Sequence, residues 1–272
     1  MIDIRDLCRV CRDGRRIEHF DLKLKNGAVY GILDVCGGYG SALLALMAGV
    51  VLPDSGAVRM NGFDTAKDGE SARMSVGYVP ADMTPYDVLT PEEFFTFVAD
   101  AKGLDYELTA RTVQKALDAA ELREKRHKLC ANLAKLEKRR LCMVQAELGD
   151  PEFVLLDEPT KGIKEKDVRD IVLRLFSLGD RRTVVISSAS YSLLSEVCDE
   201  IVILDEGRLV DVLEANDPVT EAHYRTLCEI HGVVAEEELD AMARRRRQRR
   251  SRRAAEGAKA EESRGYADDG RL

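Results

Sequence analysis

The sequence contains no apolar run of the roughly 18 residues that a membrane-spanning helix needs, which excludes a span of that kind. Its start, MIDIRDL, lacks the basic and apolar regions of a secretory signal peptide, so the expectation is a cytosolic chain. A disulfide framework is missing as well. The seven cysteines are odd in number and scattered through apolar stretches, as at Cys36, Cys142 and Cys198, which fits reduced core thiols. Cys8 and Cys11 form a single C-x-x-C with no second pair, so zinc is not expected there. The most informative absence is local: between Lys25 and Arg59 there is no basic residue, although a glycine-rich turn lies in that interval.

That turn sits in VYGILDVCGGYGSALLALMAGVVLPDSG, Val29 to Gly56, which reads as strand, turn and helix, the arrangement that cradles phosphate. Phosphate-binding loops of the pattern G-x-x-x-x-G-K-[S/T] place a lysine next to the β- and γ-phosphates. Here Gly40 stands directly before Ser41. The glycines and the helix start still offer a weak anion nest.

The chain of 272 residues is long enough to bury a full core, and one globular domain with a subdomain or tail is the default. From residue 1 to about 234, strand and helix patterns alternate. Apolar runs at Val29–Leu33, Val154–Leu156 and Val184–Ile186 lack period-2 alternation, which predicts strands covered on both faces and hence a parallel sheet. Thr90-Pro91-Glu92-Glu93 is a helix start, with Thr90 as N-cap, Pro91 at the first helical position and Glu93 closing a capping box. From there to about Leu148 the pattern is mostly helical. The fold class expected is α/β, with a mostly parallel sheet core, a β-rich region at the front and an inserted helical subdomain over residues 90–148.

Charge is unevenly spread. Residues 244–253, RRRRQRRSRR, hold eight arginines and no acid, while the chain as a whole is formally −8. Residues 235–272 have little to bury, and that composition stays disordered or frays from a helix. An exposed basic block of this kind is attracted to anionic lipid by on the order of 1 kcal/mol per charge, and to phosphate backbones similarly. A solvated tail, a membrane surface and nucleic acid are the three readings of Arg244–Arg253. No aromatics are interleaved to stack bases, which counts against the last.

Several phrases, in order and spacing, resemble the ATP-binding subunit of ABC transporters over about Met1 to Leu213. LLALMAGVVLPDSGAVRMNG is similar to the helix and turn after that family's phosphate loop. VGYVPADMTPYDVLTPEEFFTFVADAKGL resembles its Q-loop region, LGDPEFVLLDEPTKGI its Walker B strand, and TVVISSASYSLLSEVCDEIVILDEGRLV its histidine loop and closing strands. The resemblance implies a P-loop NTPase fold of ABC ATPase type, ATP and Mg²⁺ as cofactors, a dimer of ATP-binding subunits, and an integral-membrane permease as partner. It also implies a place at the inner face of the cell membrane.

Carried over residue by residue, the resemblance is uneven. Asp157 matches the residue that holds the Mg²⁺ water shell, Glu158 the one that polarises the attacking water, and Ser41 the Mg²⁺ hydroxyl. In the loop, Asp34-Val35-Cys36-Gly37-Gly38-Tyr39-Gly40-Ser41, only Gly37 and Ser41 match. Asp34 and Tyr39 replace glycines, and Gly40 replaces the lysine, leaving Gly37, Gly38, Gly40 and Ser41 as a degenerate phosphate loop. Losing a charge-assisted hydrogen bond of roughly 1.5–3 kcal/mol costs about tenfold to over a hundredfold in phosphate binding. The adenine-stacking aromatic falls near Cys11, the Q-loop glutamine at Ala81, the histidine at Ala189 and the D-loop aspartate at Lys164. The signature L-S-G-G-Q falls on Leu133-Ala134-Lys135-Leu136-Glu137, where Glu137 puts a negative charge in a helix's first turn.

The implied function is a noncatalytic or very weak ATPase homologue that pairs with a permease or with another ATP-binding subunit. The alternatives are an active ATPase completed by its partner, and a soluble ABC protein binding nucleic acid through its tail. The region Ala81 to Lys102 matches where the family docks the permease's coupling helix. Phe94, Phe95 and Phe97 lie there, each with core packing at helical spacing as the simpler reading.

Overall fold

A computed structural model describes residues 1–235 of the chain, apart from the side chains of residues 106–108. The expected tail, including Arg244–Arg253, lies outside the described residues but for its first position. Contacts divide the chain into a unit of residues 1–227 and a second of residues 228–272.

The chain opens with two long strands, β1 (Ile2–Val10) and β2 (Arg16–Leu24), followed by β3 (Val29–Asp34) and helix α1 (Tyr39–Met47). Strands β4 (Ser55–Met60) and β5 (Phe63–Asp64) join the first two in an antiparallel sheet of order β2-β1-β4-β5, the expected front β region. Short helix α2 (Gly69–Met74) leads to β6 (Val76–Val79).

Three helices follow: α3 (Pro91–Ala101), α4 (Tyr106–Ala119) and α5 (Lys135–Glu147). They share a core of their own around Phe94, Phe95, Leu117, Leu122 and Leu141, all buried. Thr90 starts α3 as expected. Its hydroxyl accepts from the Glu93 N–H at 3.3 Å, and the Glu93 carboxylate accepts from the Thr90 N–H at 2.8 Å. Phe94 and Phe95 pack inside, but Phe97 is 52 % exposed, against the core reading. It meets Tyr86 edge-on, with ring centroids 5.7 Å apart.

The second sheet is completed by β7 (Phe153–Asp157), helix α6 (Glu165–Gly179), β8 (Thr183–Ser188), helix α7 (Tyr191–Val197), β9 (Glu200–Asp205) and β10 (Arg208–Glu214). Helix α8 (Pro218–Ile230) follows. The sheet order is β10-β9-β3-β8-β7-β6, parallel throughout except for the last hairpin. Every residue of β3, β7 and β8 is buried, which is why their sequences do not alternate. Because β8 alone separates β3 from β7, the glycine-rich turn after β3 and the acids that end β7 open on one edge of the sheet. Crevices at the carboxyl ends of parallel strands are where such sheets build their sites.

Candidate functional site

The turn from β3 into α1 places Gly37 at φ 76° and Gly38 at φ 93°, backbone that side-chain-bearing residues rarely adopt. The Gly37 and Gly40 N–H groups both point to one side of the turn, toward Asp34, as in an anion nest. The nest is filled from within. The Asp34 carboxylate, only 4 % exposed, accepts from the Gly37 N–H at 3.0 Å and from the Gly40 N–H at 2.8 Å. A carboxylate at a helix N-terminus is favourable for the helix, and α1 has no other acid in its first turn. The like charge that argues against bound phosphate is therefore also the group that takes phosphate's hydrogen bonds.

A second group closes the turn from outside. Arg15, from the turn between β1 and β2, donates to the Gly37 carbonyl and sits over the Tyr39 ring, 5.5 Å from its centroid. A methyl group on Gly38 would overlap the guanidinium. Asp13 pairs with Arg15, and that hydrogen bond raises the guanidinium's pKa above its usual value. Residue spacing gave no sign of Arg15, because it reaches the loop across 22 positions of chain through the β1–β2 hairpin. Beside it lies an open cavity of about 670 Å³ whose wall carries Asp13, Glu18, Asp205 and Glu206 against Arg15, Arg16 and Arg208.

Gly40, at the position where the resembled family has a lysine, is buried. A Cβ there would fall on the Ser187 hydroxyl and lie 3.2 Å from Ser187 Cβ and 3.4 Å from Ile32 Cγ2. The helix thus approaches β8 more closely than a side chain permits.

Ser41 and Asp157, which the resemblance assigns to Mg²⁺, lie side by side. Ser41 Oγ donates to Asp157 Oδ1 at 3.0 Å, and Asp157 Oδ2 accepts from the Ala81 N–H at 3.3 Å. Burial pushes the Asp157 carboxyl above its ordinary value, with the Ser41 hydrogen bond pulling the other way. Glu158, held at a strained φ of 44°, accepts from the Ala189 N–H at 2.9 Å and from the Ser188 hydroxyl at 3.2 Å. Burial raises its pKa too, with the Ala189 N–H opposing. The hydroxyl and carboxylates fit a divalent cation, whereas the loop's filled N–H groups do not fit the phosphates that would accompany it.

The remaining altered positions are accounted for. Lys164 stands at the N-cap of α6 without a capping side-chain bond. Glu137 lies in the first turn of α5, as expected, but turns back to accept from the Ala134 N–H at 2.9 Å and pairs with Lys125. Cys11 is half-buried with a free thiol, and Cys8 likewise. Sequence reasoning also missed Arg139 of α5, 9 % exposed, which donates to the carbonyls of Ala81 at 3.2 Å and Lys161 at 3.4 Å.

A family model described as ABC transporter matches residues 17–161, more than half of the chain. Among curated proteins, the rat ATP-binding cassette sub-family A member 7 is 29 % identical over 208 residues, 75 % of this chain and 10 % of that protein. The probable multidrug ABC transporter ATP-binding protein YbhF of Escherichia coli is 26 % identical over 198 residues, 73 % of this chain and 34 % of that protein. The chain therefore spans about a tenth and about a third of these relatives. A solved structure of an ATP binding subunit of an ABC transporter superposes with a TM-score of 0.69 at 22 % identity, covering 89 % of this chain and 98 % of that one. That likeness shows the fold.

Proposed function

The chain belongs to the ABC transporter family as a nucleotide-binding-type domain, and from that premise we propose that it is a noncatalytic member, assembling with a permease or a second ATP-binding subunit without hydrolysing ATP itself. The observation that carries this reading is the Asp34 carboxylate seated on the Gly37 and Gly40 N–H groups. ATP would have to displace a covalently tethered anion that is always present at the site, and would find no lysine to offset its own charge. The Ser41–Asp157 hydrogen bond, with Glu158 next in the chain, supports descent from a working site, with residual Mg²⁺ affinity as its remnant. ATP and Mg²⁺ are thus the family's cofactors, and in this chain only the cation positions remain suited to their role.

Binding to a permease is supported by the exposed apolar surface where the chain enters the helical block, with Tyr86 and Val88 of the preceding loop and Phe97 of α3 57 %, 80 % and 52 % exposed. Among the described residues no helix is long and apolar enough to cross a membrane, so a membrane role rests on such a partner, with lipid contact through Arg244–Arg253 as an addition to it. The domain as proposed covers residues 1–234, with 235–272 as its charged tail. Nucleic acid as a partner has no support beyond that tail's charge.

Hydrolysis that depends on Glu158 tests the proposal. Phosphate release from Mg-ATP by the purified chain is expected to be at background and unchanged by Glu158→Gln. A rate above background that Glu158→Gln abolishes would overturn the noncatalytic reading in favour of an active or partner-completed ATPase.

A further inference from the structure

The hairpin of β1 and β2 turns a separate group of side chains away from the core. Leu7 and Phe20 pair across the two strands and are both buried, so the residues flanking them, Asp6 and Cys8 on β1 and His19 and Asp21 on β2, take the opposite face. The ladder is irregular on both sides of that pair. From the pairing of Ile4 with Leu22 to that of Leu7 with Phe20, β1 carries one residue more than β2; from there to the pairing of Arg9 with Ile17, β2 carries the extra one.

These two bulges hold Asp6, at φ 45°, and His19, at φ 50°. Left-handed backbone is uncommon outside glycine, and Asp and His are among the residues that tolerate it. A bulge re-aims a side chain, and here both are aimed at one point. His19 Nδ1 and Asp6 Oδ1 lie 2.7 Å apart, and one ligand atom from each of Asp6, Cys8 and His19 lies within 4.8 Å of the other two. The Cys8 sulfur accepts from the His19 N–H at 3.4 Å, a supporting bond of the kind that orients a metal-bound sulfur. Asp21 Oδ1 accepts from the Asp6 N–H at 2.9 Å, which fixes the first bulge and adds a second carboxylate beside the group.

We propose that Asp6, Cys8 and His19 form a zinc site that clasps β1 to β2, with the fourth position left to water. One sulfur, one imidazole and one carboxylate make a donor set suited to Zn²⁺, whereas Mg²⁺ and Ca²⁺ call for oxygen ligands. With metal bonds of about 2.0–2.3 Å, the ligand atoms around a tetrahedral zinc stand about 3.3–3.6 Å apart. The three side chains reach that spacing by small rotations, since Asp6 and His19 are exposed and Cys8 is only half-buried. Cys11, the other half of the C-x-x-C, is not in the group, so the ligands meet across the hairpin rather than along the sequence. None of the three lies in the glycine-rich turn, at the end of β7 or in the helical block, so the site stands whether or not ATP binds after β3.

The test is titration of Co²⁺, a spectroscopic stand-in for zinc, into the reduced full-length chain, followed by displacement with Zn²⁺. A thiolate-to-cobalt charge-transfer band is expected, and Zn²⁺ should remove it. Cys8→Ser should abolish the band. His19→Asn, which keeps a residue tolerant of left-handed backbone, should raise Kd at least about tenfold. Cys11→Ser gives up no ligand and should leave Kd within about twofold. No band, a band that survives Cys8→Ser, a Kd that His19→Asn leaves unchanged, or one that Cys11→Ser raises as much, would overturn the assignment.

Discussion

At the scale of single residues, Asp34 and Gly40 change the site in opposite ways: one fills the nest and the other removes the space a lysine would need. Substituting Gly40→Lys should destabilise the chain by about 1–3 kcal/mol through overpacking against Ser187, read as a lower denaturant midpoint, and should leave phosphate release at background. Recovery of hydrolysis by that one change would show that the other altered positions do not matter. Glu158 yields a prediction of different sign. Because burial raises its pKa in the folded state, the folded protein loses stability as pH climbs from the ordinary value of 4.5 through the raised one, and that loss is complete above it. Glu158→Gln keeps an acceptor for the Ala189 N–H and replaces the oxygen that accepts from the Ser188 hydroxyl with an NH2 group, to which that hydroxyl can instead serve as acceptor. It is expected to raise Tm at pH 7 by about 1–4 °C, an advantage that disappears below the ordinary value, where the carboxyl is protonated in both states. A gain that persists unchanged in acid would contradict burial as the cause. Sequence alone identified Asp34 as an intruding charge, but its two hydrogen bonds depend on φ angles that only the folded turn reveals.

Elements were far more legible than contacts. The unbroken apolar runs of β3, β7 and β8 announced a doubly covered parallel sheet, and Thr90-Pro91-Glu92-Glu93 announced the start of α3, because both signals are local. Thr90→Ala should cost about 1 kcal/mol, lowering the urea midpoint without changing the slope, and a neutral result would contradict the cap. Phe97 went the other way. Three phenylalanines within four positions cannot all face one side of a helix, and the side that α4 and α5 cover takes Phe94 and Phe95. Arg15 and Arg139 were illegible for a shared reason: each acts on a loop far from it in sequence, across a hairpin in one case and between subdomains in the other.

On the scale of the whole molecule, the fold and its usual chemistry come apart. The sheet order, the helical block and the pairing of Ser41 with Asp157 are those of a nucleotide-binding domain, while the turn that should receive phosphate is closed by its own aspartate. On the proposed noncatalytic reading, a homodimer of this chain would have two impaired sites, since the family's dimer holds each ATP between the Walker motifs of one subunit and the signature of the other, and pairing with an intact subunit would leave neither complete. The most direct test of that claim is calorimetric titration of Mg-ATP into the full-length chain. The account predicts no binding at the phosphate loop at millimolar ATP, so that any heat observed is unchanged by Ser41→Ala; Mg²⁺-dependent binding near micromolar, lost in Ser41→Ala, would contradict it.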